Sequence, residues 1–439
     1  MSLSSATLIR KLIHFFTGIL ILVLSYIVAK DVLLWLIVAG SLFSFVTFRY
    51  RRFYLLHKTS HESLGTLFYP LGILSSYLLL YTFPLYYFQA ALLILTISDT
   101  LANLIGQVKN GNGWFRALSD RKSMHGIAGF VISSLLIFYL LLPVNLISNP
   151  SYLFLLLMLA VVMEVMSWRG SDNFSIPFGI AVFFWLSENY RLDYTYLAGV
   201  FLFMGVGGVL LYRLKLLSRG GSIAAWLLGN YLLMALGTAW IIPVLVFFIS
   251  SVIFTKIHSA IRRKPKKSNS RNAWQVVANI LWAVVSSVLW IITQNDIFIY
   301  LFIVYVAAVT SDTWASEIGP VFNSKSLSLS DLRWYEAGVT GGVSFAGTIA
   351  AFAGALILSA LSLFLFFGEI NLLVLFYLTL SAFLACFADT LLGAFVEEKL
   401  LAMPWFRKKN NIESINPNDL VNLAGSLTAG IFLILFLSL

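Results

Sequence analysis

Apolar stretches long enough to cross a bilayer follow one another from residue 11 to residue 438, with short polar breaks between them. A backbone in hydrocarbon finds no water for its N–H and C=O groups, so such stretches fold as helices rather than as an open sheet. Their length, near the ~20 residues of a spanning helix, gives about 15 spans. The sequence therefore predicts an all-α, polytopic integral membrane protein. With 60% hydrophobic and 11% charged residues and a mean hydropathy of +0.90, the chain is far from soluble composition, where about half is apolar. The first run, Leu12 to Ala29, is long enough to stay as a span, so no cleaved leader is expected. The lone cysteine, Cys386, falls in a predicted span, which excludes a disulfide framework and a cysteine metal cluster.

Basic residues concentrate in cytoplasmic loops, which makes charge a check on the threading. With Arg10 and Lys11 inside, alternate threading puts "RYRRFYLLHK", the loop from Lys109 to Lys122, "IRRKPKKSNSR" and "FRKKN" on the same side. Of 29 basic residues only Lys30 and Arg191 fall outside. The expected location is an inner or plasma membrane, with the N-terminus and any active site cytoplasmic. The net charge of +10 then reflects topology and anionic headgroups, not nucleic acid.

Two spans end in the same acidic motif, "SDTLANLIG" at residues 98 to 106 and "SDTWASEIG" at residues 311 to 319. Helical register puts Asp99, Asn103 and Gly106 on one face, and Asp312, Ser316 and Gly319 on another. Asp389 and Gly393 repeat the start of the pattern. A carboxylate at membrane depth is costly and faces a protein or water-filled interior with a partner, which can be a basic side chain or a cation. Magnesium suits carboxylate and phosphate oxygens, so Asp99, Asp312 and Asp389 are the candidate metal ligands. After the first copy comes a loop ending in Arg121, Lys122 and Ser123, with Gly126 and Gly129 opening the next span. After the second comes "VTGGVSFAGT", with Gly338, Thr340, Gly341, Gly342, Ser344 and Gly347. Helix-start amides with hydroxyls and a lysine make an anion site, and the same small residues also serve helix packing. No GxxxxGK[ST], GxGxxG or HExxH is present, so a P-loop ATPase, a dinucleotide fold and a zinc hydrolase lose support.

The pieces "RKLIHFFTGIL", "ESLGTLFYPLGI", "SDTLANLIG", "RKSMHGIAGF" and "SDNFSIPF" give residues 1–192 a resemblance to the phytol kinase and dolichol kinase family of polyprenol kinases. The resemblance implies phosphorylation of a long isoprenoid alcohol, typically with CTP. It implicates Glu62, Asp99, Asn103, Gly106, Lys122, Ser123, Gly126, Asp172 and Asn173. Where that family has glutamate in "KSxEG", this chain has His125. Residues 193–439 resemble the phytyl-phosphate kinase family through "RNAWQVVANILWA", "SDTWASEIG", "GVTGGVSFAGTIAA", "FADTLLGA" and "NDLVNLAGS". That family adds a second phosphate to an isoprenoid monophosphate. The resemblance implicates Arg271, Asn272, Gln275, Asn279, Asp312, Glu317, Thr340, Gly341, Gly342, Ser344, Asp389 and Asn422.

The expected function is thus a fused membrane lipid kinase that takes an isoprenoid alcohol to a prenyl monophosphate and then to a diphosphate, using Mg2+ and CTP or another nucleoside triphosphate. Phosphoryl transfer needs positioning and charge neutralisation. Asp99 and Asp312 would bind metal, Lys122 would hold phosphates, and Glu62 or Asp172 would receive the alcohol proton. The second site needs little base, because a phosphate monoester is already anionic near neutral pH. Asn272, Gln275 and Asn279 would form an inward stripe on one helix. His14 reads as a satisfied polar group in the first span, and His57, His61 and His258 as solvated or facing headgroups. Two rivals share features: a lipid-phosphate cytidylyltransferase, and a two-half secondary transporter with acids near broken helices.

Overall fold

The computed structural model describes residues 5–50, 65–108, 114–116, 121–167, 170–262, 270–322, 325–329, 333–336, 341–397 and 416–438. The chain divides into two compact units, Met1–Gly199 and Val200–Leu439. Each predicted span coincides with a helix. In the first unit these are α1 (Ser5–Ile27), α2 (Lys30–Tyr50), α3 (Gly65–Leu79) and α4. The last runs from Leu85–Leu93 through a π-helical turn, Ile94–Ser98, into Asp99–Val108. A two-stranded antiparallel hairpin, β1 (Trp114–Arg116) and β2 (Arg121–Ser123), leads to α5 (Met124–Leu141), α6 (Pro150–Val165) and α7 (Asp172–Asn189). The unit boundary falls within α8 (Tyr194–Arg213).

The second unit continues with α9 (Arg219–Tyr231), which runs into the π-helical turn Leu232–Leu236, then α10 (Thr238–Arg262), α11 (Ala273–Thr293) and α12 (Ile297–Phe322). A small antiparallel sheet follows, ordered β4-β3-β5 from β3 (Lys325–Ser328), β4 (Trp334–Glu336) and β5 (Gly342–Val343). Then come α13 (Phe345–Phe367), α14 (Leu372–Leu392, extended by the π-helical turn Gly393–Glu397) and α15 (Pro417–Leu437). Among the described residues, 10 helices are long and apolar enough to cross a membrane. The predicted spans thus coincide with helices, of which these 10 meet that length and composition. The 15 residues of α3 and 16 of α6 span about 22–24 Å at 1.5 Å per residue, short of a ~30 Å hydrocarbon core.

Helix starts are written into the sequence by short polar side chains whose oxygens take up orphan N–H groups. Ser123 accepts from Gly126 N ahead of α5, Asn149 from Ser151 N and Tyr152 N ahead of α6, and Ser344 from Gly347 N ahead of α13. Each unit has its own apolar core. Tyr77, Phe88, Phe130, Phe138 and Phe184 fill the first. In the second, α12 is buried without a break from Leu301 to Ser311, as befits a helix apolar all round and enclosed by its neighbours. Trp314 on α12 donates to Ser250 Oγ on α10 at 3.0 Å, and Trp282 on α11 donates to the Leu423 carbonyl on α15 at 2.8 Å.

Candidate functional site

In the first unit the π-helical turn Ile94–Ser98 delivers the chain directly to Asp99. Such turns insert an extra residue into a helix and recur at functional sites. The Asp99 carboxylate is buried; its Oδ1 accepts from Asn103 Nδ2 at 2.8 Å and its Oδ2 from Lys11 Nζ at 2.6 Å. The shared face of Asp99 and Asn103 is thus realised. Lys122, in the middle of β2, donates to Glu164 Oε1 at 2.7 Å and to Asp172 Oδ2 at 3.0 Å. Burial alone would lower the Lys122 pKa, but the carboxylates of Asp172 and Glu164 outweigh it and hold the pKa above the ordinary lysine value. Asp172, the first residue of α7, also accepts from Asn173 N at 3.0 Å, while Asn173 Nδ2 donates to the Gly170 carbonyl at 3.0 Å. One oxygen from each of Asp99, Glu164 and Asp172 falls within 4.8 Å of the others. Lys122, expected from its motif to hold phosphates, is paired here with two carboxylates.

Gly106, Ser123 and Gly126 do local work. A Cβ on Gly106 would lie 2.7 Å from Ser123 Oγ, and one on Gly126 2.5 Å from the Ala102 carbonyl. These contacts bring α4 and α5 together at the hairpin, which is the packing role such residues play between membrane helices. His125 is exposed on the first turn of α5, and the further carboxylates of the cluster come from Glu164 and Asp172. Glu62 lies outside the described residues.

The second unit builds the same piece again. A Cβ on Gly319 would lie 2.8 Å from Ser344 Oγ, and one on Gly347 3.2 Å from the Ala315 carbonyl. Gly106, Ala102, Ser123 and Gly126 thus have counterparts in Gly319, Ala315, Ser344 and Gly347, each set formed by an acidic-motif helix, a strand pair and a serine-capped helix. Val343 stands where the first unit has Lys122. Beside this piece opens a cavity of about 470 Å³. Arg271, Gln275, Asn279, Asp312, Glu317, Gly341, Gly342, Ser344, Asp389 and Asn422, singled out from sequence, all line it, together with Asp419. A water-sized chamber is walled in part by Asn279, Asp312, Asp389 and Asn422. Thr340 lies outside the described residues.

Arg271 is held by the turn before α9. Its N–H donates to the Leu216 carbonyl at 3.1 Å, its carbonyl accepts from Ser218 N at 2.9 Å, and a Cβ on Gly221 would meet that carbonyl at 2.2 Å. The guanidinium carbon is 6.0 and 5.9 Å from the ring centroids of Phe247 and Phe248. Burial lowers its pKa, and Glu317 opposes the shift.

Two expectations change here. Asn272 is the N-cap of α11 and forms a capping box with Gln275; it does not line the cavity, so the inward stripe is reduced to Gln275 and Asn279. His258 is not solvated: its Nδ1 is 2.7 Å from Glu317 Oε2. Glu317 also accepts from Thr255 Oγ1 at 2.8 Å, so it is an anchored member of the wall. Lys11, Glu164 and Asp419 were missed, although Glu164 is a lone acid in an apolar run and meets the rule that singled out Asp99.

Helices of this length and composition, with polar clusters gathered inside them, define a multi-pass integral membrane protein. Residues 202–430 match the family described as Integral membrane protein DUF92, and the chain belongs to it. It is 28% identical over 225 residues to an uncharacterized membrane protein of Methanocaldococcus jannaschii, covering 51% of this chain and 87% of that one. To an uncharacterized membrane protein of Synechocystis sp. it is 30% identical over 198 residues, 44% of this chain and 75% of the relative. No solved structure matches the chain.

Proposed function

We propose that the protein is a membrane lipid kinase whose first unit phosphorylates an isoprenoid alcohol and whose second unit phosphorylates the resulting monophosphate, with CTP or another nucleoside triphosphate as donor. The observation that carries the reading is the cavity of the second unit. It gathers Asp312, Asp389 and Asp419, one guanidinium, a glycine turn and a helix start around one space. Its lining carries the carboxylates Asp312, Glu317, Asp389 and Asp419 against Arg271. Such a wall repels a nucleotide unless divalent cations come with it, and Asp312 and Asp389 are the residues that would hold magnesium, which neutralises phosphate charge. Arg271 and the amides at Gly341, Gly342 and the α13 start would orient phosphates. The first unit is assigned on its ordered motifs and its buried Lys122 cluster, because the family match begins at residue 202. The distribution of basic loops supports a cytoplasmic position for both sites.

The test incubates purified protein with magnesium, CTP and phytol or geranylgeraniol, and separates the lipid products. Wild type yields diphosphate, Asp312→Asn accumulates monophosphate, and Asp99→Asn converts only added monophosphate. A product carrying cytidine identifies a cytidylyltransferase instead, and the absence of any phosphorylated lipid with every triphosphate overturns the reading.

A further inference from the structure

Glu164 has no part in the scheme above, yet it is among the least exposed ionisable groups of the first unit, at 2%. It shares one buried spot with Asp99 and Asp172. Three carboxylates taken out of water repel one another and lose hydration, so the spot requires cations. Lys122 and Lys11 supply ammonium groups, but among the described residues Glu164 Oε2 is buried without a hydrogen-bond partner, and so is Asn173 Oδ1 beside Asp172. Magnesium at about 2.1 Å from each ligand puts opposite oxygens about 4.2 Å apart. Oxygens within 4.8 Å reach that spacing by closing less than ~1 Å. The second unit supplies an independent parallel. Its acids come from corresponding helices, Asp312 on the motif helix α12, Asp389 near the end of α14 and Asp419 in the first turn of α15, and all three line one cavity.

We infer that Asp99, Glu164 and Asp172 form a divalent-cation site in which the Lys122 ammonium is the resident counter-ion, displaced when a metal of the magnesium class binds. The displaced ammonium sits one residue before the Ser123 cap of α5, beside the helix start where an anionic phosphate is stabilised. This last step rests on the phosphotransfer reading; the cation site does not.

Manganese is the probe, read by the paramagnetic resonance of the free ion, on purified full-length protein carrying Asp312→Asn and Asp389→Asn to silence the second unit. One manganese per chain is expected. Glu164→Gln weakens binding by at least the about 10–100-fold that loss of an outer-shell partner costs, and Glu164→Asp recovers part of it. Lys122→Gln tightens binding about tenfold, because the competing ammonium is gone and more of the site is competent. The double variant Lys122→Gln with Glu164→Gln keeps charge balance should either single variant fold poorly, and it binds more weakly than Lys122→Gln. Unchanged affinity in the Glu164 variants overturns the site, and unchanged or weaker affinity in Lys122→Gln overturns the counter-ion. Lipid phosphorylation by wild type is measured separately: turnover without manganese binding at this cluster sinks the inference alone, and binding without turnover sinks only the kinase reading.

Discussion

The Lys122 ammonium, 2.7 Å from Glu164 and 3.0 Å from Asp172, shows how single side chains govern the first unit. Removing one partner of a buried ion pair leaves the other charge uncompensated, at about 3–5 kcal/mol. Lys122→Met is therefore expected to lower stability by that order, measured by urea titration in detergent, and adding Glu164→Gln is expected to restore part of the loss. Because the folded-state pKa of Lys122 is raised, its contribution is fully present below the ordinary lysine value and is lost only as pH rises through the raised one. Lys122→Met leaves the Glu164 and Asp172 carboxylates without that ammonium, so its melting temperature is expected to fall more steeply than that of wild type as pH rises from about 5 to 9. Asp99, Asp312 and Asp389 were legible because acids in apolar runs stand out. Glu164 stands out by the same rule, but no polar neighbour on its helix gave it a motif, and its role exists only through residues on α4, β2 and α7.

At the scale of elements, the repeated piece of acidic helix, strand pair and serine-capped helix rests on glycines with no room for a side chain. Gly126→Val is expected to drive a methyl group into the Ala102 carbonyl, 2.5 Å from where a Cβ would sit, and to destabilise by about 1–3 kcal/mol. Gly40→Ala on α2, where a Cβ meets nothing within 4 Å, is expected to stabilise by about 0.5–1 kcal/mol. Thermal melts of the two variants side by side check both. Fifteen helix positions could be read from hydropathy, because the bilayer leaves the backbone few alternatives. The capping roles of Ser123, Ser344 and Asn272 were harder, since a polar residue just outside a span looks alike whether it meets a ligand or the next turn's amides. Pairing with Gly126, Gly347 and Gln275 three residues on was the available signal.

For the whole molecule, the cores of the two units share no residue, and the Methanocaldococcus jannaschii relative has 87% of its length matched by about half of this chain. A chain of residues 194–439, starting with α8, is therefore expected to fold without the rest. Expressed alone in membranes, it should melt cooperatively and phosphorylate added prenyl monophosphate but not the free alcohol. Precipitation of the fragment during extraction would show that the second unit needs the first.

The contact between Gly221 and the carbonyl of Arg271 carries a consequence for how variants of this protein would be read. The guanidinium at the cavity wall takes its place from a tight turn remote from it in sequence. A side chain introduced at position 221 would push the 271 backbone, and with it the positive charge, while leaving every carboxylate where it was. Its phenotype would be a binding defect with intact assembly, arising from a residue that touches no ligand.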